Sequence, residues 1–324
     1  MSTIIEIEDL TKIYTPRRRG VRPIVAVDHV SFDVQAGQTF GFLGPNGAGK
    51  TTTIRMCTGI IRPTSGRIVV AGSGMVADPI RVKERIGVVS DATSLYNEMS
   101  AWENLRFFAG LYGIPPKKWT MQAERLLRLF GLYDRRHSRI ATFSTGMKKY
   151  LAIAVALVHE PQVLFLDEPT TGLDVQSARQ LREMIRELNG HGVTVFLTTH
   201  YIEEADYLCH QIAIINEGKI VASGTPAELK EMAQGDQIIE IIFDHEADSV
   251  AHALSEQGVI NRVVVTGNRL RLQVGDPSAA FTLLFNTIDR GRFRALSVNT
   301  VKPSLEDAFV LVTGLHSDVM KNGK

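Results

Sequence analysis

The 324-residue chain is 44% hydrophobic and 22% charged, ordinary for a globular protein with a sizeable core, and its length suits two domains, one of about 230 residues. Its net charge of +1 gives no general pull toward nucleic acid, and two cysteines, Cys57 and Cys209, cannot build a disulfide framework and suit a reducing compartment. Met1–Leu10 lacks the basic and apolar regions of a secretory signal, and the longest apolar run, Tyr150–Val158, is well short of the ~20 residues a membrane helix requires.

Ile5 and Ile7 alternate with Glu6 and Glu8 within Ile4–Ile13, the period-2 pattern of a half-exposed strand. Residues 15–23 hold Arg17, Arg18, Arg19 and Arg22 with Gly20 and two prolines, so they read as a loop before a second strand, Val25–Val34. The apolar run Thr39–Leu43 then meets Gly44-Pro45-Asn46-Gly47-Ala48-Gly49-Lys50-Thr51, and a helix is expected over Thr51–Thr58. Strand, glycine loop and helix in that order is the setting in which G-x-x-x-x-G-K-[ST] means a phosphate cradle. Glycines let consecutive N–H groups turn onto phosphate oxygens, and the helix N-terminus adds partial positive charge. Lys50 would reach the β- and γ-phosphates of a nucleotide, and the Thr51 hydroxyl would ligate Mg²⁺.

Short β segments are expected at Arg67–Ala71 and Arg85–Val89, with a loop around Gly72, Gly74 and Pro79 between them. From Ser100 to Leu132 the pattern turns helical: Trp102, Leu105, Phe108, Ala109 and Tyr112 form one stripe, read here as core packing, and a second helix ends near Gly131. Ser144 and Gly146 precede a helix over Lys148–Val158, and the strand Val163–Leu166 runs into Asp167-Glu168. Downstream of a phosphate loop, such a pair reads as half of a hydrolytic site, with Asp167 orienting Mg²⁺ and Glu168 polarising the attacking water. A helix over Gln176–Asn189 and a strand, Thr194–Leu197, lead to Thr198-Thr199-His200, which puts His200 within reach of a γ-phosphate. Helices at Ile202–Leu208 and Pro226–Met232 flank a hairpin at Asn216–Lys219. Strands alternating with helices predict a mainly parallel sheet covered on both faces.

The domain boundary is expected at Gln234-Gly235-Asp236. Beyond it the order β-α-β-β-α-β is that of a ferredoxin-like α+β unit over 236–317, followed by a tail, 318–324, with disorder expected after Gly314. That unit shows no phosphate loop with paired carboxylates and no clustered metal ligands, with His245 and His252 on a solvated stretch, so it reads as a dimerisation or regulatory element.

Gly44–Thr51, Ser144-x-Gly146, Leu166-Asp167-Glu168-Pro169, Thr171-Gly172-Leu173-Asp174 and His200 follow the motif order of ATP-binding-cassette (ABC) ATPases, and the resemblance covers residues 4–230. It implies an α/β P-loop NTPase core over 1–235, with an antiparallel β subdomain and a helical subdomain at about 96–158. Gly44 to Thr51 with Thr52 would hold ATP and Tyr14 would stack on adenine. Ser144 and Gly146 would bind the γ-phosphate of ATP held by a second ATPase subunit, Asp174 would cross between the two, and a homodimer is expected. Thr198–Asp206 and Pro303–Phe309 resemble the daunorubicin-resistance type of exporter ATPase. The implied partners are therefore membrane permease subunits on a separate chain, with this subunit at the cytoplasmic face of the membrane. An importer ATPase and a soluble non-transport cassette remain the alternatives. Phe143, Thr145 and Met147 depart from the L-S-G-G-Q signature, and Asp91 stands where a glutamine is usual. Asp91 either ligates Mg²⁺ directly or caps the turn before Leu95.

Overall fold

The computed structural model describes residues 2–15, 22–90, 95–233, 237–245, 247, 250, 251, 254, 260–291 and 293–315. Asp91, His252, the expected boundary at 234–236, most of the arginine-rich loop and the C-terminal tail lie outside them. The chain forms two compact units that divide between Pro226 and Ala227.

In the first unit, β1 (Thr3–Tyr14) pairs antiparallel with β2 (Ile24–Gln35) and β4 (Ser65–Val70), and β5 (Ser73–Gly74) closes that sheet in the order β2-β1-β4-β5. The alternation read from Ile5 and Ile7 breaks beyond Ile7. Asp9 adopts a left-handed φ of 52°, the register with β2 shifts, and Leu10 and Thr11 are both buried. That bulge re-aims the end of β1.

A six-stranded sheet runs β10-β9-β3-β8-β7-β6, with β3 (Thr39–Leu43), β6 (Ile86–Val89), β7 (Val163–Asp167), β8 (Thr194–Thr199), β9 (Gln211–Asn216) and β10 (Lys219–Gly224). The pairings from β9 through β6 are parallel, and β10 is antiparallel to β9. Every residue of β3, β7 and β8 is buried, as expected of strands covered on both faces. The two sheets meet over aromatic rings. Phe32 of β2 stacks 5.1 Å from Phe40, which stacks 5.6 Å from Phe196, with Phe165 5.4 Å further along.

The helices are α1 (Lys50–Cys57), α2 (Pro79–Lys83), α3 (Ala101–Leu111), α4 (Pro116–Leu129), α5 (Thr145–Leu157), α6 (Val175–Gly190) and α7 (Ile202–Leu208). Helix α2 lies in the segment read as a loop: Asp78 accepts from the Arg81 N–H at 3.2 Å and Pro79 fills the first turn. Ser100 and Glu103 form a reciprocal capping box that starts α3. The aromatic stripe on α3 is a correction. Leu105 and Ala109 are buried, but Phe108 and Tyr112 line an open cleft of about 330 Å³ against β6, and Tyr112 is 40% exposed.

In the second unit, β11 (Gln237–Phe243), β12 (Ile260–Thr266), β13 (Arg269–Val274) and β14 (Ala295–Val301) form an antiparallel sheet in the order β12-β13-β11-β14. Ile239, Ile241, Phe243, Leu270, Leu272 and Leu284 share its core. Arg271 bridges Glu240 on β11 at 2.9 Å and Asp307 at 3.6 Å, tying helix Leu305–Thr313 to the sheet. His245 is half-exposed.

Phe196 is fully buried at the centre of the aromatic seam. Phe196→Ala is expected to lower the unfolding free energy by about 3–5 kcal/mol in urea titrations, and a loss under about 1 kcal/mol would contradict this packing.

Candidate active site

Parallel strands deliver their C-terminal ends to one edge of the sheet, where α/β ligands bind. Leu43 pairs with Thr199, and Asp167 with Thr198, so the phosphate loop, the carboxylates and His200 emerge side by side. Gly44 lies so close to β9 that a Cβ there would come 2.3 Å from the Ile215 carbonyl. Gly49 sits at φ 109°, and a Cβ on it would meet the Ala26 carbonyl at 2.4 Å. Gly49 is the N-cap of α1 and offers no side chain, so the first N–H groups of the helix are left for a ligand.

Lys50 is 4% exposed and folded over its own loop. Its Nζ donates to the carbonyls of Gly44 at 2.8 Å and Pro45 at 3.1 Å and stands 3.3 Å from Glu168 Oε1. Burial pulls the Lys50 pKa down, and Glu168 and Asp167 oppose that pull. At the end of β7, Asp167 Oδ1 accepts from the Thr198 hydroxyl at 2.5 Å and from the Thr51 hydroxyl at 3.3 Å.

Glu168 turns left-handed at φ 47°, a conformation costly for a residue with a side chain. Its N–H, shared between the Thr198 carbonyl and hydroxyl at 3.1 Å each, holds it there. The turn aims the carboxylate at the mouth of the loop. Glu168 Oε2 accepts from the Thr171 hydroxyl at 3.1 Å and lies 3.1 Å from His200 Nδ1. That last approach is out of line for a hydrogen bond, so the imidazole acts on the carboxylate by proximity more than by direction. Burial pushes the Glu168 pKa up, but His200 and Lys50 together outweigh it and hold it down at about 2.

A cavity of about 140 Å³ is lined by Asn46, Gly47, Gly49, Lys50, Thr51, Thr52, Ala26 and Glu168. Among the described residues no group of three His, Cys, Asp or Glu side chains could hold a metal ion. Thr51 and Asp167 nevertheless offer two hard oxygen donors on the phosphate side, which fits Mg²⁺, an ion that takes few protein ligands and completes its shell with phosphates and water.

Tyr14, Ser144, Gly146 and Asp174 do not line that cavity. Tyr14 is 41% exposed at the end of β1, with Lys12 Nζ 5.3 Å above its ring. Ser144 and Asp174 are exposed helix caps: Ser144 Oγ accepts from the Met147 N–H at 3.2 Å, and Asp174 accepts from the Ser177 N–H at 2.9 Å. They form a second cluster, because a Cβ on Gly146 would stand 3.1 Å from Ser177 Oγ. Reading the sequence overlooked Thr198 and Thr171, which hold both carboxylates. The available signal was a threonine pair closing an otherwise apolar strand.

The ABC transporter family profile matches residues 27–171. The linearmycin-resistance ATP-binding protein of Bacillus subtilis is 36% identical over 316 residues, 96% of this chain and 98% of the relative. The daunorubicin-resistance ATP-binding protein DrrA3 of Streptomyces coeruleorubidus is 36% identical over 89% of this chain and 91% of its own length. The Nod factor export ATP-binding protein I of Cupriavidus metallidurans is 34% identical over 97% and 98%. Among solved structures, the ATP-binding subunit of an ABC transporter superposes with a TM-score of 0.63 at 30% identity, over 71% of this chain and 92% of its own. A dimeric cassette bound to ADP and phosphate, at 22% identity and a TM-score of 0.61, shares the fold. The chain belongs to the ATP-hydrolysing subunits of the ABC transporter family.

Proposed function

We propose that this chain powers an exporter from the cytoplasmic face of the membrane, working with permease subunits on a separate chain. The relatives named for resistance and export match along nearly their whole length, which supports export over import. Among the described residues no helix is long and apolar enough to cross a membrane.

The carrying observation is the convergence of Lys50, Thr51, Asp167, Glu168 and His200 on one loop. ATP phosphates take the N–H groups of α1 and draw the Lys50 ammonium away from Glu168. Thr51 and Asp167 would hold Mg²⁺, which would supply positive charge against that of the phosphates. Freed of its lysine, Glu168 rises from about 2 toward a useful base strength and takes the proton of the attacking water. The Thr171 hydroxyl keeps the carboxylate turned toward that water, with His200 beside it. Nucleotide binding thereby switches on the base.

The exposed pair Ser144 and Asp174, set apart from the phosphate cavity, supports action on ATP held by a second copy of the chain. The cleft beside Phe108, with Tyr112 stacked 3.8 Å from His159, is read as the seat of a short permease helix.

Glu168→Gln is expected to bind ATP with near-parental affinity while hydrolysis falls on the order of 10²–10⁴-fold. Turnover within threefold of the parent would remove Glu168 from the role. For the cleft, photocrosslinks from position 112 in the assembled transporter should land on the permease; permease crosslinks confined to residues 237–315 would contradict the docking.

A further inference from the structure

Glu204 is the second residue of α7's first turn after Ile202, and it is 2% exposed. Both carboxyl oxygens are shut off from solvent and neither is met at full hydrogen-bond geometry, although the hydroxyls of Thr199 and Thr170 stand against them. A carboxylate in that position would be a desolvated, unpaired charge, which proteins avoid by keeping the proton. The groups facing it come from several elements. Thr199 and His200 come from the end of β8, Thr170 from the turn after β7, Arg182 from α6 and Cys209 from the segment after α7. Burial raises the Glu204 pKa, against the smaller opposing pulls of Thr199, Thr170, Arg182 and His200.

Those neighbours carry the site. Thr170 lies two residues after Glu168, and Thr199 immediately precedes His200. The Thr199 hydroxyl accepts from the Tyr201 N–H at 3.0 Å, which leaves its own proton to give. A protonated carboxyl both donates and accepts, so it can serve two hydroxyls at once.

We propose that Glu204 is a positioning residue for hydrolysis: a neutral acid that ties the turn carrying Glu168, through Thr170, to the strand end carrying His200, through Thr199. The proposal rests on Glu168 and His200 acting as described above. Neutrality matters as much as the tie. An ionised Glu204 would compete with Glu168 for His200 and pull the imidazole off the site.

The test uses the full chain and two variants. Glu204→Gln keeps a neutral donor and acceptor, and its kcat should stay within about threefold of the parent. Glu204→Ala should lose at least tenfold in kcat with an unchanged ATP Kd. Parental kcat in Glu204→Ala, or a loss in Glu204→Gln as large as in Glu204→Ala, would overturn the proposal. A second reading needs no turnover and stays available if Glu204→Ala fails to fold. A raised carboxyl pKa makes the parent lose stability as pH rises above the unfolded value of about 4.3, whereas glutamine does not titrate. The Tm of Glu204→Gln minus that of the parent should therefore grow from pH 5 to pH 8. A pH-independent gap would overturn the neutral acid, while the Glu168→Gln result bears on the reaction alone.

Discussion

The contact between Lys50 and Glu168 is the constraint on which the site depends. Two opposite charges stand 3.3 Å apart, one of them almost fully buried. At an effective dielectric near 20 their attraction is about 5 kcal/mol, and that gain is set against the cost of taking both out of water. Removing either partner alone strands the other charge, so the pair holds the mouth of the phosphate loop against the end of β7. It also leaves Glu168 a poor base for as long as the lysine is there. The same interaction that keeps the site in order keeps it quiet, and phosphates are the natural competitor for the ammonium.

The rest of the fold brings that pair together. Fully buried parallel strands fix the ends of β3, β7 and β8 in register, and the aromatic seam from Phe32 to Phe165 fixes the antiparallel sheet over them. Thr198 then carries much of the local geometry, since its hydroxyl and carbonyl serve both the Asp167 carboxylate and the Glu168 N–H. The left-handed φ at Glu168 is sustained by those bonds. A strained turn at a strand end gives the carboxylate an aim that straight extension of β7 would not.

How much of this was legible in the sequence follows from how local each signal is. The phosphate loop is contiguous, and glycine spacing with a flanking strand and helix dictates its backbone, so the loop, the mainly parallel sheet and the two carboxylates could be read directly. Thr198 and Thr171 could not, because each matters through a partner reached only when strands align. The stripe Phe108–Tyr112 misled for a different reason: the same helical spacing serves a core face and the wall of an open cleft. The bulge at Asp9 and the short helix behind Asp78-Pro79 were small departures from patterns too brief for periodicity to resolve. Glu204 lies in the stretch Thr198–Asp206, legible only as a resemblance, and only the fold buries it.

The central claim is that phosphates release Glu168 from Lys50, and the ionisation of Glu168 tests it most directly. Isotope-edited infrared or carbon-13 titration of the Glu168 carboxyl should give a pKa of about 2 in the protein alone. With a non-hydrolysable ATP analogue bound in the absence of divalent metal, that value should rise by roughly one unit or more, since each unit is about 1.4 kcal/mol of lost interaction with the cation. A Glu168 pKa that stays near 2 with the analogue bound would contradict the account.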